Sequence, residues 1–106
     1  MDYEKKRNLA LTGRTDNEAA ARRVLAARKA VGISQADLAS AVDRKDTTII
    51  AIEKGRQLPS WTLMMWFFNN HRIDINFFVG GHFSQLPEDV QDRLFQSLLA
   101  VSGETA

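Results

Sequence analysis

The chain is predicted to be all-α, and three observations lead there. Apolar residues recur at the three- and four-residue spacing of helices from residue 20 onward. The runs open on Thr, Ser, Asp or Pro, the residues that start helices, and several close on Gly. No segment shows the two-residue alternation of a strand, and there is neither an internal repeat nor a low-complexity tract.

Residues 1–14 lack periodicity and carry Lys5, Lys6, Arg7 and Gly13, which suggests a flexible basic N-terminal arm. Thr15 then stands three residues before Glu18, so that hydroxyl and carboxylate can cap each other's amides. The helix that follows runs to Ala30, with Ala20, Val24, Ala27 and Val31 on its inner face and Arg22, Arg23 and Lys29 mostly on others; Gly32 ends it. Ser34 caps a second helix of about two turns, with Leu38, Ala39 and Val42 facing inward. A break at Asp43, Arg44 and Lys45 leads to a third, from Asp46 to Lys54, with Ile49 and Ile52 inward and Gly55 as its stop. Pro59 and Ser60 open a fourth, whose helical stripe holds Trp61, Met64, Phe67, Phe68 and His71. Asp74 caps a short fifth through Val79, before Gly80 and Gly81. Pro87 starts the last helix, with Glu88, Asp89 and Asp92 at its positive end and Val90, Leu94, Leu98 and Val101 along one face.

Composition narrows the function. At 106 residues, 44% hydrophobic and 25% charged, the chain has the make-up of one small globular domain, expected to be cytoplasmic. No apolar run reaches the ~20 residues of a membrane helix. Zero cysteines exclude a disulfide scaffold, a thiolate nucleophile and a cysteine metal site. The two histidines, His71 and His82, come with no paired carboxylates or phosphate loop, so neither an enzyme nor a metal or cofactor is expected. The net charge of +1 hides an asymmetry: residues 1–31 balance at +4, residues 32–60 at zero and residues 61–106 at −3. Such a basic front half suits a polyanionic partner. Of nine aromatic residues only Tyr3 precedes Trp61.

Two short helices joined by a tight turn form the geometry of a helix-turn-helix. With Ser34-Gln35, Leu38-Ala39, Ile49, Ile52-Glu53, Gly55 and Pro59-Ser60 at their present spacing, the chain resembles the Cro/cI-type (XRE-like) helix-turn-helix proteins from Arg28 to Gly80. The resemblance implies a lambda-repressor-like five-helix domain over residues 15–81. Residues 82–106 then add a C-terminal helix and tail for packing or dimerisation. It also implies an ion pair between Arg28 and Glu53, and a recognition helix that enters the major groove of double-stranded DNA. Carried over by position, Asp46, Thr47, Ile50 and Ala51 face the bases and Gln35 faces a phosphate. Arg44 and Lys45 in the turn, with Lys54 and Arg56 beyond the helix, are placed to grip phosphates. Asp43 stands where the family has glycine, and Lys45 where it has a capping Ser or Thr, which moves or removes that cap.

A transcriptional repressor acting as a homodimer is the function this implies. An antitoxin with a toxin partner, or a fold kept for protein interaction alone, are the alternatives. Trp66 replaces a polar surface residue of the family pattern. Together with Phe77, Phe78, Phe83, Leu94 and Leu98 it suggests a dimer interface, unless helix 87–101 folds back over that apolar surface.

Overall fold

A computed structural model describes residues 1–103, and seven helices with no strand occur among them. The all-α reading therefore holds. In order they are α1 (Tyr3–Ala10), α2 (Asn17–Val31), α3 (Gln35–Ala41), α4 (Asp46–Glu53), α5 (Trp61–His71), α6 (Ile75–Gly80) and α7 (Glu88–Ser102). The tail beyond Gly103 lies outside the described residues.

α2 is the organising element, because it packs on α1, α4, α6 and α7. Its alanines explain how. Ala19, Ala20, Ala21, Ala26 and Ala27 are all buried, and side chains this small let neighbouring helices approach closely on more than one side. Ser97 on α7 fixes one of these approaches by donating its hydroxyl to the Ala26 carbonyl at 2.6 Å. α2 begins one residue later than a Thr15 cap implies. Its N-cap is Asp16, whose carboxylate accepts from Arg14 (3.0 and 2.7 Å) and makes no capping bond to the helix.

The expected mobile arm is instead a helix. Asp2 caps α1 by accepting from the Lys5 amide at 2.7 Å, and Leu9 and Ala10 are buried against the body of the domain. Lys6, placed with the basic arm by its charge, lies over the rings of Phe95 (5.1 Å) and Phe83 (5.8 Å) and donates to the Gln91 side chain. A cation held on aromatic faces packs with its stem and its charge together.

The remaining helices follow their caps. Ser34 accepts from the Asp37 amide, Ser60 from Leu63 and Asp74 from Phe77. On α5 the predicted stripe is only half right. Met64 and Phe67 are buried with Leu63, but Trp61 is 67% exposed and Phe68 48% exposed. Trp66 takes the inner role assigned to them, edge-on to Phe67 and packed against the core. The candidate dimer surface also needs correction. Phe77, Phe78, Phe83, Leu94 and Leu98 lie in the core of the single chain, because α6 and α7 both pack on α2 and Phe83 lies edge-on to Phe95 of α7.

Between α3 and α4 the backbone reverses at Asp43, whose φ of 54° is left-handed. Its amide bonds to the Ser40 carbonyl (3.2 Å) and that of Arg44 to Ala39 (2.9 Å), closing the end of α3. α4 closes identically at Gly55, with Gly55 bonded to Ile52 and Arg56 to Ala51. A residue with a Cβ is strained in this conformation and glycine is not. Asp43→Gly is therefore expected to stabilise the fold by about 0.5–1 kcal/mol, net of glycine's extra unfolded-state entropy. The check is a higher urea midpoint at unchanged slope; a lower midpoint would assign the Asp43 side chain a structural role.

Candidate nucleic-acid interface

The most fully bonded side chain beside the α3–α4 pair is Glu53, in the last turn of α4. A carboxylate there opposes the helix dipole, so something must compensate it. Arg28 of α2 does so with two parallel bonds, Nε to one oxygen at 2.6 Å and Nη2 to the other at 3.0 Å. Gln35, the first residue of α3, adds its amide to the same carboxylate at 2.9 Å. Arg28 also donates to the Ile33 carbonyl, in the segment linking α2 to α3. The side chains are 12% and 4% exposed, so this charge-assisted fork is nearly dry and joins three helices at one point. The ion pair suggested by the sequence is present. Gln35, expected to face a phosphate, is turned toward the pair.

Ile49 and Ile52 hold the inner face of α4, with Ala39 buried where α3 meets it. That leaves Asp46 and Thr47 exposed at the start of α4 and Ile50 and Ala51 half-buried along it. The cap of α4 does not move to Asp46: Lys45 is the N-cap and its side chain makes no capping bond. Arg44, Lys45, Lys54 and Arg56 are exposed, and among the described residues none of them pairs with a carboxylate. Two cations thus precede α4 and two follow it. Asp37, Asp43 and Asp46 are exposed on the same segment and offset most of that charge. Any grip on phosphates then depends on local placement, because the segment has little net field.

Arg23 escaped the sequence reading altogether. Placed mostly away from the inner face, it is fully buried, and its five N–H groups meet five backbone carbonyls. Nε donates to Ala10, Nη1 to Phe78 and Val79, and Nη2 to Leu11 and Arg14, at 2.7–3.2 Å. These carbonyls belong to the ends of α1 and α6 and the turn after α1, where helix dipoles are negative. Burial lowers its pKa to about 10, which leaves it cationic at neutral pH. The available signal was its spacing, three residues after Ala20 and four before Ala27, on the inner stripe of α2.

His71 is half-buried beside Trp66, with ring centroids 5.1 Å apart. Burial, then the nearby Arg93 charge, lowers its pKa below the ordinary value, which favours the neutral ring. Among the described residues no cluster of His, Asp and Glu is arranged to hold a metal ion, and no helix is long and apolar enough to cross a membrane. Comparison of the chain with protein-family models, with curated proteins and with solved structures returns no match.

Proposed function

We propose that the chain is a DNA-binding transcriptional regulator of Cro/cI helix-turn-helix type, a repressor that places α4 in the major groove. One observation carries this reading: α4 presents Asp46 and Thr47 between two pairs of unpaired, exposed cations, and a dry three-helix ion pair fixes its angle. Arg44, Lys45, Lys54 and Arg56 supply sequence-independent grip by displacing counterions from phosphates. Thr47 reads a base edge or a thymine methyl, and Ile50 and Ala51 add apolar contact to methyl groups. The acidic neighbours make the affinity modest and the readout dependent on shape as well as on bases.

The test is selection of genomic DNA fragments by the purified protein at two salt concentrations. A recurring motif, weakened by salt, is expected. Thr47→Ala should alter the preferred bases. Arg56→Ala should weaken all sequences alike and reduce the salt slope by about one. Folded protein that enriches nothing at low salt would overturn the reading.

A further inference from the structure

α6 packs on both α2 and α5, and where these three helices meet the link from α4 to α5 the interior is incompletely filled. An apolar hollow of about 140 Å³ opens there to the surface. Ala20 of α2, Met64 of α5 and Phe78 of α6 form its buried floor. Ala20 brings only a methyl group to this junction, so the space stays open. Pro59 and Leu58 of the link and Val79 of α6 form the rim, with Leu58 55% and Val79 49% exposed. Thr15, just before α2, completes the border.

We propose that this hollow is a binding site for a small uncharged aromatic molecule, a single ring bearing a hydroxyl group, of which phenol is the simplest. Three properties of the hollow set that class. Its volume is close to the ~150 Å³ of an apolar cavity that takes up benzene. No Asp, Glu, Lys or Arg borders it, so an ion would give up its hydration there without meeting a counter-charge. Thr15 is the only polar side chain on the border, and its hydroxyl makes no hydrogen bond among the described residues. A water needs two to four polar partners and finds few of them here, so a ring displaces it at little cost. The ring then covers the exposed sides of Leu58 and Val79 while its hydroxyl bonds to Thr15. Ligand binding at this junction is a function separate from DNA reading and does not depend on it.

The test is titration of the full chain with phenol, followed by amide shifts in two-dimensional NMR and by the melting temperature. Saturable shifts around Ala20, Leu58 and Val79 are expected, with a dissociation constant of ~1 mM or below and a raised melting temperature at saturation. Benzoate, the same ring carrying a carboxylate, should not bind. Ala20→Leu, which fills the floor, should weaken phenol binding at least ~10-fold. Val79→Asp sets a charge on the rim at an exposed position, so it should weaken binding ~10-fold with the fold intact. Thr15→Val should weaken phenol about 3- to 10-fold and leave toluene unchanged. No saturation by ~10 mM phenol overturns the proposal, as do shifts centred on Met65 and Phe68, equal binding of benzoate, or unchanged phenol affinity in any of the three variants. N-acetyltyrosinamide carries the same ring between two peptide groups and should bind more weakly. Tighter binding of it would overturn the small-molecule assignment in favour of a tyrosine from a protein partner. No DNA is present, so the outcome stands whether or not α4 reads bases.

Discussion

Arg23→Met is expected to remove at least about 4 kcal/mol of folding stability, a large part of the total for a domain of this size. The reason is the number of groups left behind. Five carbonyls from the end of α1, the turn after it and the end of α6 converge on one guanidinium. With Met in its place they face a thioether that donates nothing, and the two most enclosed carbonyls, those of Ala10 and Phe78, lose their donor in a buried site. Arg23→Lys should recover less than half of the loss, since an ammonium offers three donors from one point and cannot bridge two helix ends. The backbone is fitted to the same contact. Gly81 has a φ of +70°, and a Cβ there would stand 2.6 Å from the Ala10 carbonyl and 2.8 Å from Arg23 Nη2. Gly81→Ala should therefore also destabilise, and the double variant should lose less than the sum, because both changes break one structure. Urea unfolding of these four variants and the unchanged chain measures this. An Arg23→Met midpoint close to that of the unchanged chain would show the guanidinium to be replaceable.

This contact also shows where the sequence was legible and where it was not. Helices α3 to α7 could be located because caps such as Ser34, Ser60 and Asp74 act over three residues, and periodicities such as Val90–Leu94–Leu98 act within one helix. The Arg28–Glu53 pair was legible only through a resemblance, since 25 residues separate its members. What could not be read depends on tertiary partners. Lys6 and Arg23 are basic residues that composition assigns to the surface, yet the rings of Phe83 and Phe95 and carbonyls of α1 and α6 take them in. α1 had an Asp2 cap but too few apolar residues to show a period, and its burial is set by α7, some eighty residues away. The aromatic residues were recognised as too many for a five-helix core, but which of them the last helix would cover was not local information. Trp66 turned inward and Trp61 outward, five residues apart on one helix. At the candidate site, the exposure of Thr47 and the four cations agrees with their assigned positions, whereas Gln35 was drawn inward by a carboxylate that its own helix does not contain.

Glu53→Ala is expected to cost about 3–5 kcal/mol, more than the pair itself contributes, because it leaves the Arg28 guanidinium buried without its counter-charge. Arg28→Met alone should cost a similar amount by stranding the carboxylate. Replacing both with Met should restore most of the stability, since a buried ion pair and an apolar pair of similar volume are often nearly equivalent. The DNA measurement should follow a different order. In the double Met variant nothing fixes α4 against α2 and α3 with the directionality of a two-bond fork and a Gln35 amide. Lys54, Arg56, Arg44 and Lys45 remain exposed and still attract phosphates, so binding to random DNA should be almost unchanged. If α4 reads DNA as proposed, binding to the selected motif should fall toward the random level, because Thr47 and Ile50 would need a set angle to reach base edges. Affinities for both DNAs at one salt concentration, taken beside the unfolding curves, separate the roles. A stable double variant that still prefers its motif would make the pair a device of stability alone. One that folds but no longer discriminates would make Glu53 the residue through which the helical scaffold sets specificity, without touching DNA.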